Sequence, residues 1–288
     1  MMLKNFGQME QFVREQSGKK RVALAAAHDA DALGSLMMAV DRGIAEAILI
    51  GRRKEIVRVL DEMGKDAGDF RIIEEEDDRA AADKAVELVH RGEADMPMKG
   101  LMHTSTFMKA ILDKEKGLKE DGNLLSQASV FEIPEKDRFL IISDCAVNID
   151  PDLETKIKIT ENAAALAHTL GIEQPKIAVL SAVEVVNPKI RSTVDAAAMR
   201  ERLSDRYLID GPLALDNAID EAAAHHKGIE SPVAGNADIL IVPDLWSGNI
   251  FSKGLVFFAH LRSAGTLNGL KAPVVMSSRT DTVENKYL

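Results

Sequence analysis

Short apolar runs, each followed by a polar turn and then a segment of helical periodicity, recur along most of this chain. Runs such as Arg21–Ala27, Glu46–Ile50 and Asp238–Val242 are rich in Val, Ile, Leu and Ala, and their length and composition predict buried strands. Buried strands that alternate with longer helices are typical of a parallel α/β fold. With 288 residues, the chain is long enough for one large domain or two smaller ones.

The same pattern predicts all the strands and helices of the chain. The predicted strands are Arg21–Ala27, Glu46–Ile50, Phe70–Ile73, Gln127–Ile133, Arg138–Ser143, Lys176–Ser181, Asp238–Val242 and Pro273–Met276. The predicted helices cover about 30–42, 53–63, 80–91, 105–116, 153–170, 194–203, 214–226 and 250–262, and a last one begins at Asp281. The turn at Pro134 joins two neighbouring strands and favours an antiparallel hairpin.

Composition argues against several kinds of site. Aromatic residues make up only 4% of the chain and the formal net charge is −10, which disfavours binding to nucleic acid or to an anionic membrane. Cys145 is the single cysteine, so neither an internal disulfide nor a cysteine-rich zinc site is expected, and we interpret it as a buried apolar side chain rather than a nucleophile. No secretory signal and no membrane-spanning stretch are recognised, which predicts a cytoplasmic protein.

Several common cofactor and catalytic motifs are missing. The first predicted strand is not followed by a glycine-rich dinucleotide loop, and the chain contains neither a P-loop, a serine-hydrolase elbow nor an HExxH zinc motif. The sequence therefore gives no reason to expect a nicotinamide, a nucleoside triphosphate or a metal.

Polar segments follow the predicted strands at residues 28–31, 99–106, 143–148 and 277–285. Ligands in open α/β sheets bind beyond the carboxyl ends of the strands, which makes these segments the candidate site. In the last segment, Ser278 and Arg279 precede a helix start, and a hydroxyl, a guanidinium and free N–H groups together suit a phosphate or an oxyanion. Helix capping by Asp281, with Glu284 three residues later, explains this segment alone at least as well.

Two further segments allow a functional and a structural interpretation. Lys253 is predicted to lie one turn into a helix, from where it would reach back to an anion at the helix start; a solvated lysine is an equal alternative. His103, Ser105 and Lys109 surround a loop that opens a helix, with Thr104 or Ser105 as its N-cap. His103 fits a packed loop residue equally well.

Six blocks of sequence, in this order, resemble the phosphate acetyl/butyryltransferase family, and within it the butyryltransferase branch. They lie between about residues 99 and 286, with a weaker α/β similarity before them. The blocks are Lys99–Ser105 (KGLMHTS), Ser143–Pro151 (SDCAVNIDP), Leu180–Pro188 (LSAVEVVNP), Asp210–Ala218 (DGPLALDNA), Val233–Lys253 (VAGNADILIVPDLWSGNIFSK) and Pro273–Lys286 (PVVMSSRTDTVENK). No single block is decisive, and the resemblance rests on their order.

The resemblance implies an enzyme that interconverts an acyl-CoA and inorganic phosphate with an acyl phosphate and free coenzyme A. It implies an α/β fold of two α/β domains with a cleft between them, similar to isocitrate dehydrogenase. Residues 1–131 with 273–288 would form one domain and residues 132–272 the other. No cofactor would be permanently bound, because coenzyme A is a substrate or product. The implied assembly is a homodimer or larger, and the implied pathway partner is an acyl kinase for butyrate or acetate.

The resemblance also implies roles for individual residues. Ser278 would stabilise the carbonyl oxygen, Arg279 would hold phosphate, and Asp281 or Glu284 would take the proton of the coenzyme A thiol. Transfer would be direct, in a ternary complex, so Cys145 would not be needed. The residues expected to contact substrate or coenzyme A are His103, Ser105, Lys109, Asn148, Asn249, Lys253 and Asn285.

Some positions depart from the acetyltransferase branch. Lys109 stands, with one residue gapped, for an arginine and lacks its bidentate grip. Val256 and Phe257 replace a Gln-Arg pair, and Asn285 falls on the aspartate assigned as the base. Together with Phe258, these changes predict a more apolar acyl pocket and a butyryl or branched C4–C5 group rather than acetyl. A phosphate acetyltransferase, a catalytically weakened protein that binds coenzyme A or acyl phosphate, and a dehydrogenase relative are the alternatives.

Overall fold

The protein is described here by a computed structural model, which covers residues 1–16, 18–120, 122–278 and 281–288. The chain divides into two compact units. The four-stranded unit consists of Glu10–Asn123 and Gly269–Leu288, and the six-stranded unit consists of Met1–Met9 and Leu124–Asn268. Both units combine helices with a sheet that is largely parallel, so the α/β class predicted from the sequence is confirmed.

The described residues form these elements. The strands are β1 (Lys20–Ala25), β2 (Ala45–Gly51), β3 (Arg71–Glu74), β4 (Met96–Lys99), β5 (Ser126–Ile133), β6 (Arg138–Ser143), β7 (Lys176–Leu180), β8 (Leu208–Leu213), β9 (Ile239–Ile241) and β10 (Ser263–Asn268). The helices are α1 (Phe6–Glu15), α2 (Ala30–Asp41), α3 (Arg53–Glu62), α4 (Asp78–His90), α5 (Thr104–Ile111), α6 (Leu153–Thr169), α7 (Arg191–Leu203), α8 (Leu215–Ile219), α9 (Glu221–His226), α10 (Leu245–Phe257) and α11 (Val283–Tyr287).

The sheet of the four-stranded unit has the order β3-β2-β1-β4, and its strands run parallel. The segment predicted as the strand Pro273–Met276 runs beside β4, but only Val275 pairs with it, as an isolated parallel bridge to Met98. The prediction of a full strand at Pro273–Met276 is therefore wrong, but the predicted place of this segment is not. The C-terminal segment still leaves the sheet at the carboxyl end of β4, where ligands bind in folds of this class.

The sheet of the six-stranded unit has the order β10-β5-β6-β9-β7-β8. The strands β5 and β6 pair antiparallel, which confirms the predicted hairpin around Pro134. β6, β9, β7 and β8 run parallel, so the loops after these strands open on one edge of the sheet. β10 adds an antiparallel strand at the other end by pairing with β5.

The unpredicted strands are those whose sequences lack a clear apolar run. β4 (MPMK) contains a proline, β8 (LIDGPL) contains Asp210 and Pro212, and β10 (SAGTLN) carries few large apolar residues. They form because each pairs with a neighbouring strand along its backbone. β propensity depends strongly on such context.

Two helix boundaries differ from the predicted ones because a capping side chain sets them. The single helix predicted over Ala214–His226 is two helices, because Asp220 ends α8 and caps α9 by accepting a hydrogen bond from Ala223 N. The helix predicted from Ile250 begins at Leu245, because Asp244 caps it by accepting from Ser247 N at 2.8 Å.

The chain passes from one unit to the other at 9/10, 123/124 and 268/269, whereas the sequence suggested boundaries at 131/132 and 272/273 only. β5 belongs to the six-stranded unit because it pairs along its length with β6 and β10. Each unit has its own core, built from Leu24, Leu33, Leu49 and Leu60 in one, and from Phe131, Ile142, Leu240 and Val242 in the other. Within the described residues, no helix is long and apolar enough to cross a membrane.

Candidate active site

The C-terminal segment of the four-stranded unit brings a serine and a carboxylate together. The N–H of Ser278 donates to Asp281 Oδ2 at 2.6 Å, so Asp281 is fixed beside Ser278 and is not the helix cap predicted from the sequence. Thr282 caps α11 instead, because its Oγ1 accepts from Asn285 N at 3.1 Å. Glu284 lies in the first turn of α11 and is exposed. The residues Arg279 and Thr280 lie outside the described residues, and with them the predicted phosphate-binding guanidinium.

Lys286 brings a buried positive charge to this segment. Its side chain, on a residue that is only 7% exposed, donates to the carbonyl oxygen of Asp281 and lies 3.8 Å from the carboxylate of Asp31 in α2. Next to it, Arg42 lies over the ring of Tyr287 at 4.6 Å, and burial raises the pKa of the Tyr287 hydroxyl. These contacts hold α11 against α2, which fixes the segment that carries Ser278 and Asp281.

A second lysine lies at the carboxyl end of β4. Lys99 is 5% exposed, and its Nζ donates to the carbonyl oxygen of Gly100 at 3.3 Å. Gly100 packs against the end of β1, where a Cβ would lie 2.2 Å from the carbonyl oxygen of Ala26, so only glycine fits. The four-stranded unit therefore places Lys99 at the sheet edge from which the Ser278 segment departs.

The predicted binding residues His103, Ser105 and Lys109 lie on or just before α5 and are exposed. The helix begins at Thr104, so His103 occupies the N-cap position, and the predicted N-cap at Thr104 or Ser105 is wrong. Ser105 and Lys109 are four residues apart and therefore share one face of the helix.

In the six-stranded unit, the loop after β6 is organised by a buried carboxylate. Asp144 is 3% exposed, and its Oδ1 accepts from the backbone N–H groups of Ala146 at 2.8 Å and Val147 at 2.9 Å. Its Oδ2 accepts from Gln127 N at 3.2 Å, Asn148 N at 3.3 Å and Asn148 Nδ2 at 2.6 Å. Five N–H donors therefore converge on one side chain.

The same loop joins the predicted binding residues Asn148 and Asn249. Asn249, in α10, donates from Nδ2 to the carbonyl oxygen of Cys145 at 3.2 Å. Gly248 packs against this loop, because a Cβ there would lie 2.4 Å from the carbonyl oxygen of Asp144. Two of the residues predicted from separate blocks of sequence thus meet at one loop.

The thiol of Cys145 is buried, as predicted. The residue is 3% exposed, and burial raises the pKa of the thiol to about 12. The thiolate is the nucleophilic form of cysteine, so at neutral pH this side chain is inert.

The family model described as "Phosphate acetyl/butaryl transferase" matches residues 79–287. The chain belongs to this family. The phosphate butyryltransferase of Clostridium acetobutylicum is 46% identical over 290 residues, covering 99% of this chain and 95% of the relative. The phosphate acetyltransferase of Thermotoga maritima is 42% identical, covering 97% of this chain and 96% of the relative. A solved structure of a branched-chain phosphotransacylase from Enterococcus faecalis is similar with a TM-score of 0.83 and 35% identity, over 93% of this chain and 95% of that one.

The match to the phosphate acetyl/butyryl transferase family begins in α4 and ends in α11. It therefore spans parts of both units and includes all the residues predicted for the site, from His103 to Asn285. The resemblance stated from six blocks of sequence is confirmed.

One predicted site residue of this family member lies elsewhere on its helix than expected. α10 begins at Leu245, so Lys253 lies eight residues, or about 12 Å, along the helix from its start. It is exposed and, contrary to the prediction, cannot reach back to the helix N-terminus. The helix begins five residues earlier than predicted because Asp244 caps it.

Three residues that the sequence analysis did not select are prominent in the structure: Asp144, Lys99 and Lys286. All three are charged and buried, which the sequence by itself does not reveal. Asp144 and Lys99 did lie in the segments at strand ends, and position at a strand end was the available signal.

Proposed function

We propose that this chain is a phosphate acyltransferase that interconverts a short acyl-CoA and phosphate with an acyl phosphate and coenzyme A. In a chain of this family, the observation that carries the proposal is the contact between Ser278 and Asp281. It keeps the Asp281 carboxylate beside the backbone of Ser278, beyond the carboxyl end of β4, where ligands bind in α/β folds.

The proposed chemistry uses these groups in one step. A carboxylate takes the proton of the coenzyme A thiol, and the thiolate attacks the carbonyl carbon of the acyl phosphate. The carbonyl oxygen becomes negative and is stabilised by the Ser278 hydroxyl and nearby N–H groups. The C–S bond forms, the C–O bond to phosphate breaks, and phosphate leaves held by Arg279. The reverse reaction runs through the same state.

We assign the base to Asp281 rather than Glu284. The hydrogen bond from Ser278 N to Asp281 Oδ2 supports this choice, because it fixes the carboxylate beside Ser278. Asn285 follows in α11 and is an amide, so it is assigned to binding. Direct transfer is supported by Cys145, whose burial and raised pKa leave it no part in an acyl-enzyme.

We propose a butyryl or branched C4–C5 acyl group as the preferred substrate. The 46% identity to a phosphate butyryltransferase and the similarity to a branched-chain phosphotransacylase support this preference. Phe257 and Phe258, which are exposed at the end of α10, supply apolar surface for such a chain. Phosphate acetyltransferase is the second candidate, favoured by the relative from Thermotoga maritima.

The remaining proposals follow from this reaction. Coenzyme A, acyl phosphate and inorganic phosphate are the partners at the site, with no permanently bound cofactor. An acyl kinase that converts the acyl phosphate is the companion enzyme, the assembly is a homodimer or larger, and the place of action is the cytoplasm. The two units described above are the two domains of the family fold, and the domain boundaries are the residue ranges of these units.

The deciding experiment follows the release of free thiol from butyryl-CoA with and without phosphate, in the wild type and in Arg279→Ala. Release that depends on phosphate and is lost in Arg279→Ala is the expected result. Coenzyme A binding without any thiol release from C2–C5 acyl-CoA would instead favour a protein that only binds its ligand.

A further inference from the structure

The carboxylate of Asp144 is buried in the loop after β6. Among the described residues, no lysine, arginine or histidine forms an ion pair with it. A buried charge is costly unless it is fully hydrogen-bonded, and the five N–H donors meet that requirement. Since hydrogen bonds to a charged group are stronger than neutral ones, this carboxylate fixes the loop that supplies most of them.

The contact to Asn148 orients one side chain in particular. Asn148 Nδ2 donates one hydrogen to Asp144 Oδ2 at 2.6 Å and the other to the carbonyl oxygen of Leu125 at 3.0 Å. Both N–H groups of this amide are therefore used within the protein. If the amide were flipped, its oxygen would face two other acceptor oxygens, those of Asp144 and Leu125. Asn148 Oδ1 is the atom left to meet a ligand, and it can only accept a hydrogen bond.

The second amide depends on the same loop. Asn249 is held by the carbonyl oxygen of Cys145, the residue next to Asp144, and Gly248 packs on the carbonyl oxygen of Asp144 itself. A shift of the Asp144 carboxylate would therefore move the partners of Asn148 and Asn249 together.

We propose that Asp144 is a positioning residue for coenzyme A, which fixes Asn148 so that its Oδ1 accepts a hydrogen bond from an N–H group of that ligand. The inference rests on the proposed function, in which Asn148 and Asn249 contact coenzyme A. Asp144 itself touches no substrate. Its effect is on the affinity for acyl-CoA rather than on the chemical step.

The test is a double-mutant cycle of Asp144→Asn, Asn148→Ala and the double variant, read as KM for butyryl-CoA and kcat. Asp144→Asn points an NH₂ group at N–H donors and so releases the loop. Each single variant is expected to raise KM by about three- to tenfold, the effect of one hydrogen bond, with kcat nearly unchanged. Because both variants remove the same interaction, the double variant is expected to lose no more than either single one.

Asp195→Asn is the matched control for a purely structural effect. Asp195 is also largely buried in the six-stranded unit, where it accepts a hydrogen bond from Lys156 Nζ at 2.7 Å, but it has no place in the proposed site. It is expected to lower the unfolding temperature while KM stays at the wild-type value. A wild-type KM in Asp144→Asn, or losses that add in the double variant, would overturn the proposal.

Two further arms keep the test decisive. If Asp144→Asn does not fold, Asn148→Asp examines the same contact, and a KM no higher than that of Asn148→Ala would contradict a role for the Asp144 carboxylate. If the wild type releases no thiol, the proposed reaction fails, and the same cycle read as the dissociation constant of coenzyme A by calorimetry still decides the role of Asp144. Absence of coenzyme A binding in the wild type would overturn both.

Discussion

The backbone N–H of Ser278 donates to Oδ2 of Asp281 at 2.6 Å. These two residues are three apart in sequence, and the hydrogen bond between them holds Asp281 beside Ser278 just before α11. Because the serine backbone donates to Oδ2, the carboxylate of Asp281 is held in place next to Ser278. Lys286 donates to the carbonyl oxygen of Asp281 and so also holds this residue in place.

The first prediction separates the two candidate bases. Asp281→Asn is expected to lower kcat for acyl transfer by about 100-fold or more, since it removes a general base. Glu284→Gln, which changes an exposed carboxylate one turn away, is expected to leave kcat within about threefold of the wild type. The measurement is steady-state thiol release from butyryl-CoA. A large loss in Glu284→Gln with a small one in Asp281→Asn would reverse the assignment.

The second prediction concerns the reactivity of Cys145. With a thiol pKa of about 12, the thiolate fraction at pH 8 is on the order of 10⁻⁴, so iodoacetamide is expected to leave the folded protein unmodified. The denatured protein should be alkylated rapidly at the same pH. Cys145→Ala should keep its kcat. Rapid alkylation of the native protein, or inactivation by the substitution, would show a reactive thiol.

The third prediction follows from the same raised pKa. Above pH of about 8.5 the unfolded chain loses the thiol proton, whereas the folded chain keeps it up to about 12. The unfolded state then binds fewer protons, so the free energy of unfolding falls as pH rises through this window. Cys145→Ala lacks this contribution. Its unfolding temperature is expected to fall less between pH 9 and about 11 than that of the wild type.

The fourth prediction compares two glycines of α10. Gly248→Ala places a Cβ 2.4 Å from the carbonyl oxygen of Asp144, so it is expected to cost about 2 kcal/mol or more and to raise KM for acyl-CoA. Gly254→Ala meets open space and should stabilise the helix by up to about 1 kcal/mol. Urea unfolding measures both changes. Equal free energies of unfolding in the two variants would show that the Asp144 loop shifts without cost to make room for the added methyl group.

The fifth prediction concerns the acyl chain. Each buried methylene contributes roughly 0.8 kcal/mol, so kcat/KM for butyryl-CoA is expected to exceed that for acetyl-CoA by about tenfold. Phe257→Ala should reduce this ratio. Phe12→Ala, another exposed phenylalanine but in α1, should not change it. A preference for acetyl-CoA in the wild type would favour the acetyltransferase candidate.

Much of the fold could be predicted because each unit repeats one local pattern. The apolar runs at Arg21–Ala27, Arg138–Ser143 and Lys176–Ser181 are strands within one or two residues at each end. The predictions that failed concern elements in which single residues depart from this pattern. The strand Leu208–Leu213 contains an aspartate and a proline, and Asp220 divides a helix whose apolar pattern runs through it.

The candidate site was predictable only in part. The blocks containing Ser278, Asn148 and Asn249 were recognised from sequence, since residue type and order suffice for a resemblance. The orientation of Asn148 was not, because it depends on Asp144 and on the carbonyl of Leu125, which is 23 residues away. The predicted position of Lys253, one turn into its helix, was wrong for the same kind of reason, since the start of that helix is set by the Asp244 side chain.

The sequence by itself determined the α/β class, the family and the segments at strand ends, because these depend on the order of apolar and polar residues along the chain. Only the tertiary structure decided which charges are buried and what satisfies them. Asp144 is stable beneath the surface because five N–H groups reach it, and Lys286 because α11 packs on α2 beside Asp31. Hydrogen bonds act over about 3 Å in space, and the folded chain alone brings these partners within that distance.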